Sequence, residues 1–435
     1  MNYEVTEATQ SAINPGQVKD VYYYGETNTA KQAYPVVKNN RFKLQFANLS
    51  AGTSQFVISP NMGVSDICLR FKLPAANGGS ITYTNASLSK GWAYQLIRTV
   101  SVRYGGSSQY FWTGSQIFAQ NLLDCENSGK VQSLLDLGGN FGVGTDCSGA
   151  VGYCYLNLPH NSPRAEGKPL PFPSDLLTQP IVVTVELNPI NSIFGGSANT
   201  APTGLPTQLD QAEFQVNQEY MSDSADLLAR RVDMNTHAIS VPLKYFAQQE
   251  FLFNIPAGQP AKQSLTLTGF RAGEVRDIMF WLEVRQTDAT AAAKAGQTAQ
   301  WIWPEIQNLE LRYNGEIFFT STDGVAALWN LIEDKKIPGF TTGLVNTANS
   351  PADVTDYLSR WSLVKFSQVD IPRDRMYDLI SGKPVLNAVI NVDLTLPSAV
   401  LTGGVVSANT QVVLHAVYMY NASLLCSRGT SEYIF

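Results

Sequence analysis

A chain of 435 residues is long enough for two or three domains, and a hydrophobic content of 44 % lets each bury a core. Charged residues make up only 15 %, against about 25 % in a typical soluble domain, and the net charge is −6 with no cluster of Lys or Arg. That balance excludes strong binding to nucleic acid through its phosphates, and no direct sequence-specific contact to it is expected. The chain has no apolar run of about 18 residues and no charged-then-apolar start, so neither a membrane-spanning helix nor a signal peptide is expected.

Residues 1–33 hold few apolar anchors and are expected to form an N-terminal arm that orders on assembly. From there the sequence alternates short β-like runs with turn residues. Arg41 to Phe46, Asp66 to Leu73, Ile97 to Tyr104 and Ile181 to Leu187 all have the period of two that marks a half-buried strand. Three segments read as helices: Gln116 to Leu123, Ser224 to Val232, and Val325 to Ile332 with Asp323 placed to cap it. Those are too few for an α/β fold, so the chain reads as all-β. Three long irregular stretches, Gly195 to Gln211, Asp288 to Gln300 and Gly339 to Pro351, are expected at the ends of the sheets. The first two should lie at exposed tops and accept an inserted tag. The five cysteines are odd in number and irregularly spaced, which favours free thiols in a reducing compartment. Cys147 and Cys154 are the one pair that a glycine-rich loop could bring together.

Self-similarity decides the architecture. Trp92 to Asp124 aligns without gaps on Trp301 to Glu333, at an offset of 209. Identical pairs are Trp92/Trp301, Ile97/Ile306, Arg103/Arg312, Tyr104/Tyr313, Gly106/Gly315, Thr113/Thr322, Asn121/Asn330 and Leu122/Leu331. Chance would give roughly two such pairs at ordinary residue frequencies. The match extends outwards: Val64 to Ile67 resembles Val275 to Ile278 at offset 211, and Val183 to Leu187 resembles Ile390 to Leu394 at 207. Phe42 and Leu44 line up with Phe251 and Phe253 at 209. The chain therefore reads as two copies of one β domain: an arm at 1–33, a first jelly roll at 34–222, a connecting helix or linker at 223–236, and a second jelly roll at 237–435. Each copy is expected to be a closed sandwich of about eight strands, giving two tandem eight-stranded jelly rolls with a few short helices. Gly turns after the repeated strand, Gly105-Gly106 and Asn314-Gly315, supply the tight reversal.

The order Trp92 to Ile97, Val100 to Gly106, then a helix with Asn121-Leu122-Leu123, resembles the first roll of double jelly-roll major capsid proteins. Lys168 to Pro173 before the strand at Ile181, and Leu311 to Gly315 followed by Leu328 to Ile332, are similar to later parts of that pattern. The lineage includes the nucleo-cytoplasmic large DNA viruses, virophages, polinton-like viruses, adenoviruses and tailless membrane-containing phages. The resemblance spans the chain from about Tyr34 onward, and order and duplication carry it, since no single motif is specific. It implies a structural major capsid protein of an icosahedral double-stranded DNA virus, located in the virion and assembled inside the host cell. It also implies homotrimers that act as pseudo-hexagonal capsomers and pack against neighbouring capsomers, with penton and minor capsid proteins as partners. A membrane or basic proteins would separate such a shell from its genome.

No chemistry is expected: no catalytic residue, no metal site and no cofactor. The three histidines, His160, His237 and His415, lie in no metal-binding spacing. Asp146, Cys147, Cys154 and His160 are spaced too widely for a zinc site and read as loop residues. Gly138 to Gly144 lacks the lysine of a phosphate-binding loop and reads as a flexible loop. Trp301 and Trp303 are a sugar-stacking pair on one reading, but the match of Trp301 to Trp92 favours a core role. Sequons stand at Asn48, Asn85 and Asn421. The alternative function is a carbohydrate-binding or glycan-hydrolysing double β-sandwich, which needs two carboxylates facing one cleft.

Overall fold

The computed structural model describes residues 18–20, 36–60, 63–88, 91–107, 110–123, 133–134, 136–139, 147–156, 172–174, 177, 179–196, 202–221, 238–253, 261–268, 275–286, 306, 308–313, 316–321, 361–365, 386–394, 410–427 and 430–434. A short strand, β1 (Val18–Asp20), comes first. The first roll then supplies β2 (Val36–Gln45), β3 (Gly52–Ile58), β4 (Gly63–Lys72), β5 (Ala86–Leu88), β6 (Ile97–Tyr104) and β7 (Tyr110–Trp112). It continues through β8 (Val151–Leu156), β9 (Phe172–Pro173), β10 (Ile181–Leu187), β11 (Phe194–Gly196) and β12 (Gln211–Met221). Two helices, α1 (Trp92–Gln95) and α2 (Gly114–Leu123), flank β6 and β7.

Alternation in the sequence becomes alternation in burial. Along β3, Ser54, Phe56 and Ile58 point inward while Thr53, Gln55 and Val57 face out. The strands form two sheets, ordered β2-β12-β4-β8 and β3-β10-β6-β7, which is the pairing of a jelly roll. Aromatic rings fill the space between them. Phe56 of one sheet stacks on Phe214 of the other at 4.4 Å between centroids and meets the ring of Phe46 edge-on at 4.9 Å.

The second roll repeats this order with β13 (Ala238–Phe253), β14 (Ala261–Thr268), β15 (Val275–Gln286) and β16 (Asn308–Tyr313). β17 (Glu316–Ser321), β18 (Trp361–Lys365), β19 (Leu386–Leu394), β20 (Thr410–Ser427) and β21 (Thr430–Ile434) complete it. Its sheets run β13-β20-β15-β18 and β14-β19-β16-β17, strand for strand the order of the first roll. β1 adds a parallel edge to β13, and β21 pairs with β20. Three residues of the expected arm thus pair with the second roll, Val18 lying opposite Ala238. The rest of that arm, the helices expected at Ser224 to Val232 and Val325 to Ile332, and the stretches at Asp288 to Gln300 and Gly339 to Pro351 lie outside the described residues.

Backbone register carries the duplication further than side-chain identity does. Val183 pairs with Val102, and Ile390 pairs with Leu311, so the offsets of 207 and 209 belong to one set of neighbouring strands. A β-bulge recurs too. Ser65 is skipped where β4 meets β12, and Arg276 is skipped at the equivalent place where β15 meets β20. Bulges bend and twist a strand and act as built features rather than defects. The same ladders correct one alignment. Phe42 lies opposite Val216, which lies opposite Ile67, whereas Ala247 lies opposite Tyr418, which lies opposite Ile278. Phe42 therefore corresponds to Ala247 and Phe46 to Phe251, a slip of four residues. Side-chain identity does not fix this register, because aromatic residues recur on both strands.

Helix α2 starts two residues earlier than the sequence pattern indicates, because Thr113 caps it. The Gln116 amide donates to Thr113 Oγ1 at 3.3 Å. Near its end Asn121 ties the helix to the sandwich, its amide donating to Tyr94 Oη at 3.1 Å and to the Tyr155 carbonyl at 2.7 Å.

Two loop expectations change. The run starting at Gly138 is anchored at its beginning: the Gly91 and Ala93 amides donate to the carbonyls of Gly139 and Gly138. A Cβ on Gly139, which has φ of +98°, would stand 1.9 Å from Trp92 Nε1. These glycines form one wall of the Trp92 pocket. The segment from Gly195 to Gln211 is likewise no free loop, since β11 pairs with β5, Thr203 bridges Thr84, and Leu209 is buried. Gly78 and Gly79 are open positions, with nothing within 4 Å of an added Cβ. A tag inserted between Gly78 and Gly79 is expected to leave expression and the unfolding midpoint unchanged. One inserted after Gly204, whose Cβ position is 2.0 Å from Thr82 Oγ1, is expected to abolish soluble protein.

Cys68, Cys147, Cys154 and Cys426 are buried, and no disulfide joins Cys147 to Cys154. Burial, reinforced by Cys68, pushes the Cys154 thiol well above its ordinary range. Alkylation of the native protein near neutral pH, mapped by peptide mass spectrometry, is therefore expected to leave these four thiols unmodified. Denaturant should expose them all.

Candidate functional site

The two rolls of one chain meet along a seam, and beside it lies the most unusual buried chemistry among the described residues. Strand β7 and the cap of α2 lie against β13, where the Thr113 hydroxyl donates to Gln248 Oε1 at 3.5 Å. At a second point β21 reaches back to the first roll. Ser431 on β21 donates to the Tyr104 carbonyl at 2.6 Å, out of solvent. The fit is close: a Cβ on Gly105, with φ of +57°, would come within 2.9 Å of Ser431 Oγ. This is the glycine turn marked by the sequence, and its missing side chain makes room for the second roll as well as permitting the turn.

Behind Gln248 lies His415, whose ring has no exposed surface. The Gln248 amide nitrogen is 2.8 Å from Nδ1, and Glu283 Oε2 is 2.6 Å from Nε2. Since an amide nitrogen only donates, Nδ1 accepts from Gln248 and Nε2 donates to Glu283. Trp281 stacks on the imidazole, 4.7 Å between centroids and 12° from parallel. Glu250 Oε1 stands 3.5 Å from Nδ1. The register makes the group. Glu250, His415 and Trp281 are directly opposite one another across β13, β20 and β15, and Glu283 is two residues beyond Trp281 on the same face.

This is the nearest approach to a reactive constellation in the described residues, and its geometry is structural. Glu250 and Glu283 sit on opposite sides of one imidazole rather than across an open cleft, and the ring between them is sealed. A glycan hydrolase needs its two carboxylates to face a bound sugar. Sequence reasoning missed the group because its members are scattered: His415 and Glu283 are separated by 132 positions. His160, His237, Asp146, Trp301 and Trp303 lie outside the described residues. Among the sequons, Asn48 folds its side chain back to accept from the Ser50 amide, Asn85 is exposed at φ of +56°, and Asn421 lies within β20.

The first roll has the same five positions on its outward face, with different residues. The equivalents of Glu250, His415 and Trp281 are Gln45, Glu213 and Arg70, opposite one another across β2, β12 and β4. Lys43 and Lys72 stand where Gln248 and Glu283 stand in the second roll. Gln45 donates to Glu213 at 3.4 Å, Arg70 lies 3.5 Å from Glu213, and Lys72 pairs with Asp210 at 2.6 Å. Burial works to raise the Glu213 carboxyl. Hydrogen bonds from Gln215 and Gln45, with the charges of Arg70 and Lys43, outweigh that and hold it below the ordinary range.

No protein-family model and no curated protein matches the sequence. Solved structures do match the fold. The crystal structure of VP54 of PBCV-1, fitted into a cryo-EM reconstruction of the virophage Sputnik, aligns over 92 % of this chain and 97 % of its own, with a TM-score of 0.59 and 13 % identity. The quasi-atomic model of the PBCV-1 virus capsid aligns over the same shares, with a TM-score of 0.57 and 15 % identity. The cryo-EM structure of the Sputnik virophage aligns over 92 % of this chain and 88 % of its own, with a TM-score of 0.55 and 11 % identity. Each alignment runs through both sandwiches, so the likeness is to the tandem arrangement and not to one β domain alone. The chain carries the double jelly-roll fold of these capsid structures.

Proposed function

We propose that this chain is a major capsid protein that forms pseudo-hexagonal homotrimers in the shell of an icosahedral double-stranded DNA virus. The observation that carries the reading is the duplicated roll, repeated down to the skipped residues Ser65 and Arg276. Two similar rolls per chain and three chains per ring give six similar units around one axis, the outline needed to tile a flat face. In this reading 1–33 is an arm, 34–222 and 237–435 are the rolls, and 223–236 joins them. The protein works by packing and not by catalysis. Its partners are neighbouring capsomers, penton and minor capsid proteins, and its place is the virion. The sparse charge suits a surface that is mostly covered in the shell.

Light scattering after size exclusion, with negative-stain images of the same peak, tests this. A mass of three times the 47.6 kDa chain, with hexagonal outlines, is expected. A single-chain mass at every concentration would overturn it.

A further inference from the structure

A ring of six similar rolls has two kinds of seam, and only one of them lies within the chain. Inside a chain, the end of β7 lies against β13 on the outward face of the second roll's sheet, next to the buried His415 of β20 and Trp281 of β15. Around the ring, the end of β17 takes the place of β7, and β2, β12 and β4 of the next copy take the place of β13, β20 and β15. The correspondence is fixed by register: Leu309 lies opposite Ser321 as Val100 lies opposite Trp112.

We propose that the outward face of β2, β12 and β4, at Lys43, Gln45, Arg70, Lys72 and Glu213, is the docking surface for the second roll of another copy, met through its β17. This contact between chains is ionic and salt-sensitive, where the seam within the chain is not. The inference rests on the trimeric reading above and adds to it which surface is used and what holds it.

The contrast in burial supports the assignment. In the second roll the three central positions are covered, with His415 and Trp281 fully buried and Glu283 8 % exposed, while Glu250 at the rim stays exposed. In the first roll Lys43 and Gln45 are exposed, and the side chain of Lys72 keeps 34 % of its surface. The chemistry follows from when each face is covered. A seam within one chain forms as that chain folds, so it tolerates a stacked Trp and a buried His–Glu contact. A seam between chains must remain soluble until a partner arrives, which favours Lys, Arg and Glu over apolar side chains. Charges at such a contact steer association and weaken with ionic strength.

The test is native mass across a concentration series at about 0.1 M and about 1 M potassium chloride, for the wild type, the pair Lys43→Glu with Arg70→Glu, and Arg98→Glu. Arg98 pairs with Glu186 on the other sheet, so its reversal serves as the control. Trimer dissociation at least about tenfold stronger in high salt and in the double variant, with Arg98→Glu unchanged, is expected. Lys43→Gln with Arg70→Gln should show the same trend more weakly, and it covers the case in which the double reversal does not fold. A wild-type trimer indifferent to salt, or a double variant that trimerises as well as wild type, overturns the docking surface and leaves the trimer standing. A wild type that is a single chain at every concentration overturns both.

Discussion

Gly139→Ala is expected to destabilise the first roll by about 3 kcal/mol or more. Two costs add. The backbone at Gly139 has φ of +98°, which side-chain-bearing residues avoid. The added carbon also lands 1.9 Å from Trp92 Nε1 and 2.3 Å from its Cδ1, and Trp92 cannot retreat. On its other side Gly152 lies so close that a Cβ there would meet Trp92 Cζ2 at 2.8 Å and the Ala93 methyl at 2.9 Å. Trp92 is fully buried, so its removal is costly as well; Trp92→Ala should lose about 3–5 kcal/mol. Thermal unfolding followed by near-ultraviolet circular dichroism would show either change as a midpoint about 5–10 °C lower. Gly79→Ala, in open space, is the matched control and should shift nothing. An unchanged midpoint for Gly139→Ala would mean that the wall of the Trp92 pocket is not rigid.

The second large effect concerns His415. Replacing it with Leu takes a ring nitrogen 2.6 Å from the buried Glu283 carboxylate and removes the partner face of Trp281. A loss of about 3 kcal/mol is expected, because a buried charge deprived of its partner costs more than the pair contributes when intact. The informative experiment is the cycle. His415→Leu and Glu283→Leu together should be less destabilising than the sum of the two single changes by about 1–3 kcal/mol. Additivity in chemical denaturation would show that the contact carries no coupling and that the two residues are buried independently.

Much of the fold could be read in the residues, and the reasons are physical. Alternation along β3 and β8 is visible because each strand has one buried side, and period two survives in any context. The Trp–Tyr–Gly–Asn repeat is visible because it runs through a strand, a turn and a helix in one order, and because Asn121 meets a constraint that few other residues satisfy, reaching both Tyr94 Oη and the Tyr155 carbonyl. The seam was not legible. The contact between Gln248 and His415 joins strands that are distant in sequence, and no local pattern encodes which outward face a neighbouring roll covers. The offset at Phe42 failed for a related reason, since two aromatic positions on one strand offer two plausible alignments and only the ladder chooses between them. Gly138 and Gly139 look like loop residues by composition. The packing of Gly139 on Trp92 and of Gly138 on Tyr94, more than forty positions earlier, gives them the opposite role.

The hydrogen bond from Ser431 to the Tyr104 carbonyl spans 327 positions and uses a residue of β21, which follows every other described strand of the second roll. During synthesis the first roll's strands emerge long before that hydroxyl does, and loop closure over such a span is slow compared with local pairing. The clasp between the rolls is therefore a late event, made only after the second roll's final strand is in place. A chain cut short at its end retains two nearly complete sandwiches yet lacks this fastening, so the clasp makes the relative placement of the rolls depend on the ribosome having reached β21.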